Sequence, residues 1–127
     1  MRIEHAAIFV SDIEAAKDFF CTFFGGRAGK EYFNKDSGFL SYFISFDDGA
    51  RLEVMSKPGV KPIDRLTETE GYSHAAFSVG SKEAVDELTE KLSDAGYEVI
   101  SGPRTTGDGY YESCIFGIDN IRIEITV

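Results

Sequence analysis

HAAIFVSDIEAA, residues 5–16, recurs 69 positions later as HAAFSVGSKEAV, residues 74–85, with six of the twelve positions identical. A second match, at an offset of 71, relates Arg51–Met55 (RLEVM) to Arg122–Thr126 (RIEIT). Self-similarity at a nearly constant spacing is the signature of a duplicated structural unit. We therefore expect two copies of one module, with loops that differ in length by two residues.

The repeat sets the predicted domain organisation. We expect a single domain made of two repeats, about residues 1–56 and 72–127. A linker over residues 57–71 joins them, and it contains two prolines and two glycines, which interrupt regular structure. A chain of 127 residues has the size of one ordinary domain.

Each copy has the same predicted order of elements. A short apolar strand at residues 3–10 is followed by a Ser-x-x-Glu capping box at Ser11–Glu14, which predicts the start of a helix that ends at Gly25–Gly26. In the second copy, Gly80 or Ser81 opens the helix. Three strand-like stretches follow in each copy, at about 28–33, 39–46 and 50–55 and at about 97–101, 111–117 and 121–126. The prediction is β-α-β-β-β twice, an α+β fold.

Composition excludes several classes of partner. Thirteen Lys and Arg against 22 Asp and Glu give a net charge of −9, which argues against nucleic acid and against anionic membrane surfaces. No apolar run is long enough to span a bilayer, and the N-terminus does not resemble a signal peptide. Cys21 and Cys114 form no CxxC motif, so we expect free thiols and a cytoplasmic protein.

Four polar residues repeat at equivalent strand positions. His5 and His74 are the only two histidines, and each is followed about fifty residues later by a glutamate, Glu53 or Glu124, in an Arg-apolar-Glu-apolar frame. Because side chains alternate along a strand, all four are expected on the sheet face that the helix does not cover. Two imidazoles and two carboxylates suit Zn, Ni, Co, Mn or Fe(II). The repeat thus predicts a metal site, whereas each residue taken alone is more typical of a structural role.

At these residues the sequence resembles the vicinal oxygen chelate superfamily, and within it the glyoxalase I (lactoylglutathione lyase) type. The resemblance also includes the Phe-Phe-Gly-Gly end of the first helix, Gly102–Pro103 ahead of Gly109–Glu112, and the closing Arg-Ile-Glu-Ile. It implies the glyoxalase/bleomycin resistance/dioxygenase fold, in which paired βαβββ modules form a cup-shaped sheet.

The resemblance also implies a metal centre and a reaction. Its ligands would be His5, Glu53, His74 and Glu124, with the pairs contributed by the two subunits of a homodimer. Ni, Co or Zn is the implied metal, with Fe or Mn as further options. The implied substrate is a hemithioacetal of methylglyoxal or a related 2-oxoaldehyde, converted through an enediolate on the metal. Glu124 is carried over as the base, and Glu53 could serve the opposite face.

Two positions depart from the glutathione-using members. Phe9 stands where an Arg commonly binds a carboxylate, and Lys57 stands where an Asn is common. The thiol cosubstrate is therefore left open. Candidate substrate contacts are of two kinds, with core packing or a solvated surface as the alternative for each. They are the apolar walls Phe9, Tyr42, Met55 and Tyr110 and the cations Lys57 and Arg104.

Two other functions fit the sequence. One is a different reaction of the superfamily, such as an Fe(II) dioxygenase or a thiol transferase, although those members typically use three ligands, and Glu53 favours the glyoxalase type. The other is a metal-free protein that binds a small molecule, as in bleomycin resistance.

Overall fold

The computed structural model describes residues 2–68 and 70–127. The chain divides into two units, the first ending at Ile63 and the second beginning at Asp64. Thr69, which belongs to the predicted linker, lies outside the described residues.

The first unit is a mixed sheet with one helix. Its sheet has the order β1-β5-β4-β2, with β3 also pairing with β4. The β1–β5 pair is parallel and the other pairs are antiparallel. The elements are β1 (Ala6–Phe9), α1 (Ile13–Phe24), β2 (Arg27–Ala28), β3 (Tyr32–Asn34), β4 (Phe39–Ser45) and β5 (Arg51–Ser56).

The second unit repeats this plan. Its sheet has the order β6-β9-β8-β7, again with one parallel pair, β6–β9, and antiparallel pairs elsewhere. The elements are β6 (His74–Ser78), α2 (Lys82–Asp94), β7 (Glu98–Thr105), β8 (Tyr111–Phe116), a 3-10 turn (Ile118–Asn120) and β9 (Arg122–Thr126). The predicted α+β fold of two βαβββ modules is confirmed.

Strand pairing reproduces the sequence repeat. Ala7 of β1 pairs with Glu53 of β5, and Ala76 of β6 pairs with Glu124 of β9. The main differences from the prediction are local. The first strand begins at Ala6 rather than at residue 3, and the predicted strand at 28–33 is replaced by the short strands β2 and β3. The strand predicted at about 97–101 continues to Thr105 as β7.

The helix ends follow capping chemistry. The N-cap of α1 is Asp12, whose side chain accepts a hydrogen bond from the Ala15 backbone N–H. The predicted Ser11 capping box is therefore wrong by one residue. Gly25 ends α1 in the left-handed conformation, with φ of 65°, and Ser81 caps α2 as predicted.

Each helix packs against one face of its own sheet. In the second unit Ile123, Ile125 and Ile115 are completely buried, and in the first unit Val54 and Ile44 are. The residues that alternate with them along β5 and β9 therefore point to the other face, which we call the open face. They are Arg51, Glu53 and Met55 in the first unit and Arg122, Glu124 and Thr126 in the second.

No helix among residues 2–68 and 70–127 is long and apolar enough to cross a membrane. Cys21 and Cys114 are free and half-buried.

A buried hydroxyl pair joins α2 to the sheet. The Thr89 hydroxyl donates to the Val85 carbonyl at 2.6 Å and lies 2.6 Å from the Ser113 hydroxyl. A hydroxyl has only one proton to donate. Ser113 must therefore be the donor to Thr89.

This assignment predicts unequal costs of removing the two hydroxyls. Thr89→Val leaves the buried Ser113 hydroxyl without an acceptor, so it should lower the free energy of unfolding by about 1–3 kcal/mol. Ser113→Ala leaves Thr89 bonded to Val85 and should cost only about 0.5–1 kcal/mol. Urea unfolding of both variants checks this, and equal costs would contradict the assignment.

Candidate functional site

The open face of the second unit brings a histidine and a glutamate together. His74 begins β6 and Glu124 lies in the middle of the adjacent strand β9. The His74 Nε2 atom is 3.4 Å from Glu124 Oε2. The side chain of His74 is 42% exposed and that of Glu124 is 22% exposed. Both are therefore positioned by the sheet and accessible from the solvent side.

A second carboxylate lies beside Glu124. Glu112 is in β8, where it pairs with Thr126, two residues beyond Glu124 on the neighbouring strand. Burial raises the pKa of Glu112, and the charge of Glu124 and a hydrogen bond with it raise this pKa further, while Arg104 opposes the shift. The open face of this unit therefore carries two neighbouring carboxylates, Glu112 and Glu124.

Glu112 could not be identified from the repeat. Its equivalent in the first unit is Ser41, which pairs with Met55 as Glu112 pairs with Thr126. A residue without a counterpart in the other copy carries no duplication signal. Its position one strand away from Glu124 was the signal available, since cross-strand neighbours on one face are in contact.

A bulge in β7 brings Arg104 opposite Glu112. The β7–β8 register shifts on both sides of Ser101, and Arg104 then pairs with Glu112. The bulge contains Gly102, which has φ of 79° and precedes Pro103 across a cis peptide bond. A side chain at Gly102 would lie 2.5 Å from the Glu112 carbonyl oxygen, so only glycine allows this approach. The predicted cation Arg104 is thereby placed beside the carboxylate pair.

Cys114 lies two residues after Glu112 in β8 and therefore on the same open face. It pairs with Glu124 across β8 and β9. Burial raises the pKa of the Cys114 thiol, Arg122 opposes this, and the two nearby glutamates add to it. The thiol is therefore mainly protonated at neutral pH.

In the first unit the predicted ligands are arranged differently. The His5 Nδ1 atom is 2.5 Å from a carboxylate oxygen of Glu4, and Arg51 forms an ion pair with the other oxygen of Glu4. The His5 ring meets the Phe43 ring edge-on, with centroids 5.2 Å apart. Glu53 lies on the same open face between Ala7 and Phe43.

The remaining candidate contacts divide into two groups. Phe9 and Met55 pair across β1 and β5 on the open face of the first unit, and Phe9 is 38% exposed. Lys57 follows β5, and Tyr110 precedes β8; both are exposed. Tyr42 does not lie on an open face, so its predicted contact with a substrate is wrong.

Tyr42 belongs to the helix-covered face. It pairs with the buried Val54, and its hydroxyl lies 2.7 Å from a carboxylate oxygen of Glu14 in α1. The same hydroxyl lies 2.8 Å from Glu31. These two carboxylates raise the pKa of Tyr42. The residue anchors α1 and is not available to a ligand on the open face.

The donor chemistry fits a divalent metal ion. In residues 2–68 and 70–127, no three His, Cys, Asp or Glu side chains already form a cluster able to hold a metal. Each unit nevertheless presents one imidazole and at least one carboxylate on its open face. In the second unit, Glu112 and Glu124 lie on the open face together with His74, so carboxylate oxygens and an imidazole nitrogen are available there to a cation.

Sequence comparison identifies the family. The model of the Glyoxalase/Bleomycin resistance protein/Dioxygenase superfamily matches residues 2–125. The chain belongs to this superfamily. Two related proteins of Bacillus subtilis are uncharacterized. YqjT is 33% identical over 129 residues, covering 97% of this chain and 96% of its own, and YwkD is 33% identical over 90 residues, covering 70% of each chain.

Solved structures share the fold. A glyoxalase family protein of Bacillus cereus superimposes with a TM-score of 0.85 at 20% identity, covering 99% of this chain and 93% of that one. The fosfomycin resistance protein FosX of Listeria monocytogenes, solved with Mn(II) and sulfate, gives a TM-score of 0.76 at 20% identity, covering 99% and 91%. At these identities the likeness establishes the fold of this superfamily member.

The carboxylate pair predicts a pH effect on stability. A carboxyl group whose pKa is higher in the folded than in the unfolded chain destabilises the folded state once it is ionised, that is, as the pH rises through the pKa of the folded state. Glu112→Gln removes the negative charge that Glu112 carries at high pH. The variant should therefore raise the Tm of the metal-free protein at pH 8 by ~1–3 °C and have less effect at pH 5. Differential scanning calorimetry at both pH values measures the effect.

Glu87→Gln is the matched control, because Glu87 is exposed on α2 and its removal changes net charge equally. A Glu112→Gln variant that is less stable than the wild-type protein at pH 8, or no different from the Glu87→Gln control, would contradict the repulsion between Glu112 and Glu124.

Proposed function

We propose that this protein is a metal-dependent enzyme of the glyoxalase I type, a lactoylglutathione lyase-like enzyme whose thiol is not necessarily glutathione. Its substrate would be the hemithioacetal of methylglyoxal or a related 2-oxoaldehyde. The observation that carries the proposal is the His74–Glu124 pair, with 3.4 Å between Nε2 and Oε2, on an open sheet face. Strand pairing places Glu53 of the first unit at the position equivalent to Glu124.

The proposed metal ligands are His5, Glu53, His74 and Glu124. We propose that the two pairs come from different subunits of a homodimer, as the family resemblance implies. A divalent ion, Ni, Co or Zn with Fe or Mn as alternatives, would act as a Lewis acid that stabilises negative charge on the two neighbouring substrate oxygens.

The free thiols Cys21 and Cys114 support a reducing, cytoplasmic location.

Proton transfer is assigned to Glu124. A carboxylate oxygen of Glu124 would take the proton from the carbon that bears the hydroxyl and return it to the adjacent carbonyl carbon. The hydroxyl proton would pass to the former carbonyl oxygen, and the product would be a thioester. Such positioned acid–base catalysis contributes about 10²–10⁴-fold to the rate. His74 limits the orientations of the Glu124 carboxylate from one side, and Glu112 limits them from another. Glu53 would face the substrate from the first unit.

Substrate selection is assigned to the open-face residues around these pairs. Phe9 cannot replace the charged fork of an arginine, so we expect no strong preference for a carboxylate on the first unit. Phe9 and Met55 offer apolar surface there, whereas Lys57, Tyr110 and Arg104 are exposed residues that could contact a polar tail. Arg104 is favoured among them because it lies opposite Glu112.

A metal-free binding protein is the second candidate. The observation that favours it is the apolar open face of the first unit, which carries the aromatic rings of Phe9 and Phe43. In that case the open face of the first unit would bind an apolar or aromatic small molecule without turnover. Metal content separates the two candidates.

The principal prediction concerns metal-dependent turnover. Protein stripped of metal and reloaded with Ni, Co, Zn or Mn should form a thioester from methylglyoxal with at least one thiol, measured by ultraviolet absorbance. His74→Ala and Glu124→Gln should each lower kcat/KM at least ~100-fold, because each removes a proposed ligand, and Glu124→Gln also removes the base. Each variant should also bind the metal more weakly in isothermal titration calorimetry.

Glu68→Gln is the control, since Glu68 is an exposed partner of Arg122 outside the proposed ligand set. Turnover that requires Fe(II) and oxygen would replace the proposed reaction with that of a dioxygenase. Absence of both metal binding and turnover would favour the metal-free binding protein.

A separate prediction tests Arg104. Arg104→Ala should raise KM about tenfold for hemithioacetals made from a thiol with a carboxylate, because a charge-assisted hydrogen bond is lost, while kcat stays within about twofold. Hemithioacetals of a neutral thiol should be unaffected. Equal effects on both thiols would show that Arg104 does not contact the substrate tail.

A further inference from the structure

The two histidines share an arrangement that the sequence repeat did not predict. In each, the Nδ1 atom faces the side chain of the residue immediately before it. The His5 Nδ1 atom is 2.5 Å from Glu4 Oε2, and the His74 Nδ1 atom is 3.3 Å from Ser73 Oγ. The opposite ring nitrogen of His74 faces Glu124. Holding the ring through Nδ1 leaves Nε2 as the nitrogen available for a ligand.

Glu4 is itself fixed in place. Its second carboxylate oxygen forms an ion pair with Arg51, whose guanidinium carbon lies 4.4 Å from the centre of the Phe43 ring. The same Phe43 ring meets His5 edge-on. The imidazole of His5 is therefore held at its Nδ1 atom by Glu4 and at its ring by Phe43. Arg51 contacts both of these neighbours and so connects them.

A carboxylate at Nδ1 determines which nitrogen of a neutral imidazole carries the proton. Neutral histidine has one N–H donor and one lone-pair nitrogen. An acceptor at Nδ1 places the proton there, leaves the lone pair on Nε2 and makes that nitrogen a better metal ligand. The hydroxyl of Ser73 can accept in the same way, but it carries no charge.

We propose that Glu4 is a positioning residue that holds His5 in the Nδ1–H tautomer, with Nε2 free to bind the metal, and that Arg51 and Phe43 keep this Glu4–His5 pair in place. This role in metal binding rests on the proposed function. It makes His5 the histidine whose Nδ1 atom is more strongly held, since Nδ1 of His5 faces a carboxylate whereas Nδ1 of His74 faces a hydroxyl.

Nuclear magnetic resonance tests the tautomer without any metal. Two-bond ¹H–¹⁵N spectra of the metal-free, full-length protein at pH 8 distinguish the two ring nitrogens of each histidine. Wild-type protein should show His5 as the Nδ1–H tautomer. Glu4→Ala should shift it towards the Nε2–H tautomer, and Glu4→Gln, which retains an acceptor oxygen, should preserve most of the Nδ1–H form. His74 serves as the internal control and should not change in either variant.

Metal affinity tests the consequence. In calorimetric titrations with Co(II) or Ni(II), Glu4→Ala should bind about 10–100-fold more weakly than wild-type protein, as expected for loss of a hydrogen-bond partner of a ligating histidine. Glu4→Gln should lie between them. Glu98→Ala, an exposed change at the start of β7, should bind like the wild-type protein.

The outcomes separate this inference from the proposed function. An Nε2–H tautomer in wild-type protein, or unchanged metal affinity in Glu4→Ala, would overturn the positioning role while leaving the metal site standing. Wild-type protein that has the expected tautomer but binds no metal would overturn the proposed function and with it the role of Glu4 in metal binding.

Discussion

Burial of one face of each sheet is the constraint on which the candidate site depends. Val54, Ile123 and Ile125 are completely buried against the helices, and side chains along a strand alternate with a period of two. Glu53 and Glu124 therefore have to point to the open face. A shift of one residue in the register would bury these carboxylates and expose the aliphatic side chains, at a cost of several kcal/mol. The hydrophobic core thus fixes the direction of the polar residues.

Duplication of the module preserved this frame but changed what surrounds it. Beside Glu124, the second unit has Cys114 and Glu112; at the equivalent positions beside Glu53, the first unit has Phe43 and Ser41. One open face is therefore acidic, and the other is aromatic. In the proposed function, the acidic face carries out proton transfer and the aromatic face contacts the substrate. The same strand order hence supports a different chemical surface on each unit.

The fold was predictable from the sequence because repetition and alternation are local signals. His5/His74 and Glu53/Glu124 could be aligned without coordinates, and the pairings of Ala7 and Ala76 confirm that the copies superpose in register. The sequence prediction was wrong where two adjacent residues could play the same role and only the geometry decides between them. Asp12 rather than Ser11 caps α1 because its side chain reaches the Ala15 N–H.

The site was only partly predictable for a related reason. Whether an aromatic residue of a strand faces the helix or the open side depends on strand register, which is why Tyr42 was misplaced. Glu112 and the Glu4–His5 pair were missed because neither has an identical counterpart in the other copy. Contacts between residues that were not duplicated can be identified only from a structure.

In the proposed metal centre, imidazole and carboxylate groups of both modules bind one divalent ion. X-ray absorption spectroscopy of the Co(II)-loaded protein tests it most directly, because the inner coordination shell distinguishes nitrogen and oxygen from sulfur, and imidazole rings add a characteristic outer-shell scattering. The expected shell contains nitrogen and oxygen atoms only, with two imidazoles. A shell without imidazole, or one that contains the sulfur of Cys114, which pairs with Glu124 across the strands, would contradict it.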